Sequence, residues 1–183
     1  VAVRERRLDP LYVLSVRYGQ RHSRELEMAC WHTQRLAAVR EHCVLDAGFF
    51  GDLIGGSSAL VQGGADVPRL SDVSADDRRQ PPTYVPNRNM ILLSLAAAAA
   101  EARQVDTVLY GAQLQDEYGY WDCTRDFVTS LNGVLSLNRR QPVRVEAPFV
   151  GLRKSEIVRR GAALGVDFAR TWSCYRGGPH PCG

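Results

Sequence analysis

Four short stretches of this 183-residue chain carry side chains suited to nucleotide or carboxylate chemistry. The first is YGQRH, which consists of Tyr18, Gly19, Gln20, Arg21 and His22. An arginine can form paired hydrogen bonds with a phosphate or carboxylate, and a glutamine amide can pair with the edge of a base. The stretch indicates a binding site, although an ordinary polar helix N-terminus fits the same spacing.

The second stretch, YVPNRN, runs from Tyr84 to Asn89. Its proline fixes the entry of the chain, and Arg88 and Asn89 follow at a predicted helix start. Because backbone N–H groups point out of a helix N-terminus, such positions bind anions. Solvated helix capping is the alternative interpretation.

The third stretch, GAQLQDEYGYWDC, begins at Gly111 and ends at Cys123. It combines aromatic rings with carboxylates, which suits a flat, hydrogen-bonding heterocycle such as a purine. An aromatic-rich loop that packs on the core explains the same composition. The side chains concerned are Asp116, Glu117, Tyr118, Tyr120, Trp121 and Asp122.

The fourth stretch, LRKSEI, places Lys154 at a predicted helix start just beyond a strand. A lysine there can neutralise the charge that develops during phosphoryl or adenylyl transfer. A solvated surface lysine is the alternative.

The elements that must position these stretches alternate between strand and helix. A short, branched apolar run such as LYVLSV is typical of a strand buried on both faces. Alternation of this kind predicts an α/β fold with a mostly parallel sheet, helices on both faces, and ligands at the carboxyl ends of the strands. The predicted strands are 11–16, 42–46, 105–111 and 143–148, and the predicted helices are 26–37, 87–104, 124–137 and 155–165.

Composition limits the protein classes that fit. A chain of this size forms one domain with a proper core, and 45% apolar and 23% charged residues are ordinary for a globular protein. A net charge of +3 gives little support to a nucleic-acid or membrane-surface role. The longest apolar run, MILLSLAAAAA, is too short to span a bilayer, and the N-terminus lacks the apolar core of a signal peptide. Five cysteines without a disulfide-like spacing predict a reducing cytoplasm.

Two further segments stand apart from this alternation. Residues 55–82 are rich in Gly, Ser, Asp, Arg and Pro, which predicts a long surface excursion. Cys174 and Cys182 bracket a turn-rich segment near the end of the chain, as the first half of a larger cysteine cluster would.

Taken together and in order, these stretches resemble the 7-cyano-7-deazaguanine synthase family of queuosine biosynthesis, within the PP-loop ATP pyrophosphatase superfamily. The resemblance rests on SVRYGQRHSREL, YVPNRN, GYWDC with the upstream Asp116, LRKSEI and WSCY…CG, and it covers 11–183. It implies a Rossmann-like PP-loop fold over residues 1–168 and the start of a C-terminal zinc-binding segment at residues 169–183.

The resemblance also implies a reaction and a set of roles. ATP, with Mg²⁺, adenylates 7-carboxy-7-deazaguanine; ammonia gives the amide, and a second ATP drives its conversion to the nitrile. Lys154 and Arg88 would be catalytic, and Tyr18 to His22 would bind ATP. The deazaguanine side would be formed by Gly111, Asp116, Tyr120 and Asp122. The family further implies a homodimer.

The resemblance gives the two cysteines a role and exposes a gap. Cys174 and Cys182 match the first two ligands of the family's structural Zn²⁺ site, Cys-x7-Cys-x2-Cys-x2-Cys. The superfamily's SGGxDS phosphate loop has no counterpart here. We expect VAV to begin a strand and RERRLDP to end a helix, with an omitted loop between Val3 and Arg4.

Three departures leave alternatives open. Arg17 replaces the family's usual Asp, Trp121 its usual Pro, and Tyr118 its usual Ser. These changes fit a divergent relative that attaches deazaguanine to DNA or protein. A chain without its phosphate loop would instead be a non-catalytic pseudoenzyme, and a PP-loop ligase or thiolase acting on tRNA is a third alternative.

Overall fold

The computed structural model describes residues 1–68, 73–74, 80–176 and 180. The chain is a mixed α/β protein with parallel strands, and it divides into two compact units. One unit contains Val1–Leu70 together with Arg160–Gly183, and the other contains Ser71–Arg159. Within the described ranges, the structure has no helix with the length and apolar character needed to cross a membrane.

The first unit is built on a parallel strand pair, β1 (Leu11–Arg17) and β2 (Val39–Asp46). Parallel neighbours require a crossover connection, and α1 (Arg24–Thr33) supplies it. The register places Arg17 opposite Asp46, so both strands end at the same edge.

A further helix, α2 (Gly48–Ile54), follows β2 directly. A Cβ atom added at Gly51 would lie 2.5 Å from the carbonyl oxygen of Tyr18. Only glycine therefore allows α2 to pack so closely against the chain that leaves β1.

The second unit contains the parallel pair β3 (Thr107–Leu109) and β4 (Arg144–Glu146). Helix α3 (Arg88–Ala102) precedes β3, and α4 (Arg125–Leu135) crosses from β3 to β4. Apolar faces of both helices bury the strands and form the core of this unit. Its buried members are Leu93, Ala97, Ala100, Phe127, Leu131, Val143 and Val145.

Short 3₁₀ segments and one more helix complete the chain. Two 3₁₀ segments, Leu114–Tyr118 and Trp121–Cys123, lie between β3 and α4. Helix α5 (Lys154–Ala163) follows β4, and the 3₁₀ segment Phe168–Arg170 comes after it. The predicted strands and helices are confirmed with shifts of a few residues at their ends, whereas α2 was not predicted.

Two sequence predictions are wrong in this part of the molecule. Residues 1–10 contain neither a strand at VAV nor a helix end at RERRLDP, because the amides of Glu5 and Arg6 bond to the Val1 carbonyl at 2.9 and 3.0 Å in a turn. The predicted surface excursion is also wrong for Ser58, Ala59, Leu60 and Val61, which are fully buried. Residues 69–72 and 75–79 of that stretch lie outside the described residues.

Candidate active site

The YGQRH stretch turns away from the end of β1 through Gly19, whose φ of +86° favours glycine. Gln20 is only 2% exposed, and its amide bonds to its own neighbourhood. The side-chain oxygen accepts from the Tyr18 amide at 2.8 Å. The side-chain nitrogen donates to the Val16 carbonyl at 3.1 Å and to Glu25 Oε1 at 3.4 Å. Both functional groups of this glutamine thus stabilise the turn itself.

Arg21 holds the buried segment that the sequence prediction placed at the surface. Its backbone amide donates to the Leu60 carbonyl at 2.9 Å, and its Nε donates to the Val61 carbonyl at 3.2 Å. The guanidinium also donates to the Gly64 carbonyl and lies 3.6 Å from the Asp66 carboxylate. This residue therefore ties the YGQRH turn to residues 60–66.

The two aromatic members of the stretch are buried in the same unit. The Tyr18 ring packs at 6.1 Å from the Phe50 ring of α2. His22 Nε2 lies 3.4 Å from a Glu25 carboxylate oxygen, and the His22 ring lies 5.4 Å from the Tyr175 ring. The stretch forms a rigid corner in the first unit.

In the second unit, YVPNRN and GYWDC are joined by direct hydrogen bonds. The Asn89 backbone amide donates to Asp122 Oδ2 at 3.2 Å, and the Asn89 side-chain amide donates to Cys123 Sγ at 3.3 Å. The hydroxyls of Thr83 and Tyr120 lie 2.6 Å apart. Two sequence motifs more than 30 residues apart thus form one structural site.

A second hydroxyl bridges the same two motifs on their more exposed side. The Tyr84 hydroxyl accepts from the Asn87 amide at 3.1 Å and from Trp121 Nε1 at 2.9 Å. The Trp121 ring also meets the Phe127 ring edge-on at 5.4 Å. Trp121, which replaces a proline of the resembled family, is therefore held in one orientation although it is 44% exposed.

The side chain of Asp122 lies at the N-terminus of α3 and accepts a hydrogen bond from that helix. Its carboxylate is 2% exposed and bonds to the amide of the second residue of this helix. A buried carboxylate is stabilised there because the helix N-terminus carries unbonded amides and a partial positive charge. Arg88, the first residue of α3, donates from Nε to Asn89 Oδ1 at 3.1 Å. Arg88 and Asp122 are thus both hydrogen-bonded to Asn89, the second residue of α3.

Tyr110 and Cys123 lie behind this carboxylate. The Tyr110 hydroxyl donates to the Asp122 carbonyl at 3.0 Å and lies 3.3 Å from Cys123 Sγ. Burial raises the pKa of the Cys123 thiol to about 11, and the hydrogen bond with Tyr110 opposes part of that rise. Burial also raises the pKa of Tyr110 far above its usual value. Both groups are therefore neutral near pH 7 and keep their protons for hydrogen bonding.

Burial likewise raises the pKa of Tyr120, while its hydrogen bond with Thr83 and the nearby charge of Arg88 lower it. Its neutral hydroxyl and ring form the side of the site next to Asp122. The ring supplies the apolar surface and the hydroxyl the polar handle that a heterocycle site requires.

The 3₁₀ segment Leu114–Tyr118 connects the site to LRKSEI. The Leu114 amide donates to the Leu152 carbonyl at 3.0 Å, and Gln115 Oε1 accepts from the Lys154 backbone amide at 2.8 Å. Gln115 therefore caps α5 and fixes where Lys154 begins it, with the lysine side chain exposed. Three of the four predicted stretches are thus linked within the second unit, and YGQRH lies in the first unit.

Gln113 and Asp116 form a pair just beyond Gly111, where an added Cβ would meet no atom within 4 Å. Gln113 Nε2 donates to Asp116 Oδ1 at 3.1 Å. Gln113 Oε1 is buried and has no hydrogen-bond partner among the described residues. A buried acceptor left unbonded costs about 1–3 kcal/mol, so this oxygen is an exception in an otherwise bonded site.

Comparison with known proteins shows which family this chain belongs to. The family model for the queuosine biosynthesis protein QueC matches residues 1–183. The chain belongs to the QueC family. Three of its relatives are named 7-cyano-7-deazaguanine synthase. They come from Caldicellulosiruptor saccharolyticus, Thermosynechococcus vestitus and Archaeoglobus fulgidus, and are 40%, 39% and 43% identical to this chain. Each comparison covers 94% of this chain and, in the same order, 73%, 74% and 70% of the relative.

The QueC resemblance drawn from the sequence is therefore confirmed, and the structure adds contacts of Asp122 that the sequence analysis did not predict. The Asn89 amide donates to the Asp122 carboxylate, the half-buried Tyr110 hydroxyl donates to the Asp122 carbonyl, and the buried Cys123 Sγ lies 3.9 Å from Asp122 Oδ1. Tyr110 could have been predicted as a site residue, since it comes directly after the carboxyl end of β3. For Cys123, the sequence offered only its place in GYWDC and did not predict its contacts.

The zinc site expected in a QueC-family chain stays a prediction. Cys174 is buried, and Cys182 lies outside the described residues. Over the part of the chain that the structure describes, no group of three or more His, Cys, Asp or Glu side chains is arranged to hold a metal ion. The described residues thus supply one of the expected ligands.

Proposed function

We propose that this chain converts 7-carboxy-7-deazaguanine and ammonia into 7-cyano-7-deazaguanine at the expense of ATP. One observation carries the proposal: about 40% identity, over 94% of the chain, to proteins named 7-cyano-7-deazaguanine synthase. The hydrogen-bonded assembly of YVPNRN, GYWDC and LRKSEI supports it, because three of the stretches that carry the resemblance meet in one unit.

The chemistry explains why these residue types are needed. A ring carboxylate is a poor electrophile, so ATP first converts it to an acyl-adenylate with loss of pyrophosphate. Ammonia displaces AMP to give the amide, and a second ATP activates the amide oxygen before AMP leaves and the nitrile forms. Each step develops negative charge on phosphate oxygens, which Mg²⁺ when bound would screen and which Lys154 and Arg88 are proposed to stabilise.

The other roles follow the two units. We assign the heterocycle to Gly111, Asp116, Tyr120 and Asp122 in the second unit, where an aromatic ring and buried carboxylate lie together. The YGQRH corner is proposed to form the ATP side. Its buried Gln20 and half-buried Arg21 would act by holding the backbone of the turn, since both side chains already bond to protein atoms.

Five further properties are proposed with this function. A structural Zn²⁺ at Cys174 and Cys182, a homodimer and a cytoplasmic location accord with the family resemblance. So do a nucleotide-binding domain over residues 1–168 and a zinc segment over residues 169–183.

The test is product formation by the purified chain. We expect 7-carboxy-7-deazaguanine, MgATP and ¹⁵N-ammonium to yield free 7-cyano-7-deazaguanine whose nitrile carries ¹⁵N, detected by mass spectrometry. The Lys154→Met variant should lower kcat by about 100-fold because it removes the cation from the start of α5. Arg159→Met changes another exposed cation of the same helix and is the matched control.

Two results would contradict the proposal. Absence of both nitrile and pyrophosphate from the wild-type chain would favour a non-catalytic binding protein. Deazaguanine retained on DNA or protein, without free nitrile, would identify the divergent relative that the exposed Trp121 and the Arg17 substitution leave open.

A further inference from the structure

We propose that Gln113 is a further substrate-binding residue, whose side-chain oxygen accepts a hydrogen bond from the donor edge of the deazaguanine ring. This inference rests on the proposed function and deepens it. The observation behind it is the buried Gln113 Oε1, which has no hydrogen-bond partner within the described residues. Gln113 lies in the third stretch, but the sequence analysis gave it no role.

The orientation of the Gln113 amide is fixed by its neighbour. Its nitrogen lies 3.1 Å from Asp116 Oδ1, and an ionised carboxylate only accepts hydrogen bonds. Turning the amide over would bring two acceptor oxygens together, so the nitrogen must face Asp116. The unbonded atom is therefore an acceptor, and its missing partner is a donor.

The ring of the proposed substrate supplies such a donor. The pyrimidine part of a deazaguanine presents N1–H and a 2-amino group side by side, and both are donors. Gln113 Oε1 and the half-buried Asp116 carboxylate provide two acceptors on neighbouring turns of the chain. A site that hydrogen-bonds a substrate N–H discriminates against analogues that lack it, because its own buried acceptor then stays unpaired.

Because Gln113 Oε1 is buried, the substrate can reach it only if the surrounding segment moves. Gln113 immediately precedes the 3₁₀ segment Leu114–Tyr118, and 3₁₀ turns have poorer hydrogen-bond geometry than α-helices. The space beside Gly111, two residues earlier, is open. The inference therefore requires this segment to move when the substrate binds.

The experiment compares wild type with Gln113→Met, which keeps the length of the side chain and removes its polar groups. Affinity for 7-carboxy-7-deazaguanine alone is measured by calorimetry, and KM and kcat by nitrile formation. Two analogues, one lacking the 2-amino group and one methylated at N1, identify the donor. Gln141→Met is the matched control, since Gln141 is another half-buried glutamine of the same unit and has no assigned role.

We expect Gln113→Met to weaken binding and raise KM for the carboxylate substrate roughly tenfold, the effect of one lost hydrogen bond, with kcat changed less. Its preference for the parent compound over one of the analogues should fall by a similar factor. The KM for ammonium should not change. Thermal stability should change little, because the variant removes a buried unbonded acceptor together with the hydrogen bond from Gln113 Nε2 to Asp116.

Three outcomes would overturn the inference: unchanged affinity, unchanged preference over both analogues, or a rise in the KM for ammonium alone. The last would mean that the oxygen holds the nucleophile. A wild-type chain that binds the substrate through Gln113 but makes no nitrile would contradict the proposed function and leave this inference standing. The two claims therefore fail separately.

Discussion

The YGQRH corner of the first unit buries its polar side chains in one way, and a cluster in the second unit buries them in another. That cluster, the Asn89–Asp122 junction, consists of Arg88, Asn89, Tyr120, Asp122 and Cys123. In the corner, Gln20 bonds to Val16, Tyr18 and Glu25, all within five residues of it. In the junction, Asn89 bonds to Asp122 and Cys123, which lie 33 and 34 positions away. The Gln20 side-chain amide is thus satisfied within one segment of the chain, whereas the junction exists only when the second unit has folded.

The difference separates two kinds of functional residue. The amide of Gln20 is fully used by the turn, so its contribution to a nucleotide site is to fix backbone geometry. The junction, in contrast, brings a cation, a buried carboxylate and a phenol together from distant parts of the chain. Variants should therefore affect the two regions differently.

The largest effect is expected from Asp122→Ala. It leaves the Asn89 amide without its acceptor and empties a buried position, so we expect the free energy of unfolding to fall by about 3 kcal/mol, measured by urea denaturation. Nitrile formation should be lost under conditions in which the variant is still folded. Glu101→Ala, an exposed acid near the other end of α3, is the control and should change neither quantity. Full activity in Asp122→Ala would mean that the junction is not part of the active site.

Gln20→Met should come next. The buried Tyr18 amide and Val16 carbonyl would each lose a partner, and we expect a loss of about 2 kcal/mol in unfolding free energy. Because Gln20 acts through the turn, the KM for ATP should rise while the KM for 7-carboxy-7-deazaguanine stays constant. Gln34→Met, at an exposed position after α1, is the control. An equal rise in both KM values would contradict the separation drawn between the two regions.

The free energy of unfolding should depend on pH through the Cys123 thiol of the junction. Because burial raises the pKa of Cys123 to about 11 from the ordinary 9.0, the unfolded thiol ionises first as pH rises. The stability that this thiol contributes is complete below pH 9 and is lost between pH 9 and about 11. Cys123→Ser keeps a hydroxyl in place and does not titrate there, so its unfolding free energy should fall less steeply over this range. Identical slopes for the two proteins would show that the thiol is not protected in the folded state.

Tyr84→Phe should have the smallest effect. Its hydroxyl bonds to the Asn87 amide and to Trp121, both on the exposed side of the junction, where water replaces the lost partner. We expect a loss of about 1 kcal/mol or less and a change in tryptophan fluorescence as Trp121 loses its fixed orientation. Trp121→Phe removes the reporter and should abolish that change, which makes it the control.

Much of the fold was predictable from the sequence because its elements have clear signals. The branched apolar run of β1 and the alanine run of α3 lie within a few residues of their predicted ends. Helix α2 was missed because GFFGDLI contains two glycines and no helical periodicity, and its position depends on the approach of Gly51 to Tyr18. Such packing between backbones leaves no pattern in the residues on either side.

The candidate site was predictable in its motifs and less so in its contacts. The sequence singled out the stretches that contain Arg88, Asp116, Tyr120 and Asp122, whose roles stay predictions, but it did not indicate which side chains meet. Ser58–Val61 illustrates the same limit, since glycine and serine neighbours predicted a surface segment. Its burial arises from contacts with Arg21, about 40 residues earlier, and these are invisible to composition.

The division of the chain into units also bears on the order of folding during synthesis. The second unit is one continuous stretch, Ser71–Arg159, and all its partners are present once that stretch has left the ribosome. The first unit combines Val1–Leu70 with Arg160–Gly183, and His32 of α1 bonds to the Arg170 carbonyl at 2.9 Å. Since domains fold as units while synthesis proceeds, we expect the unit translated first to be completed last. Nascent chains in which residues 71–159 have left the ribosome and residues 160–183 have not should therefore protect the junction from proteolysis before they protect the YGQRH corner.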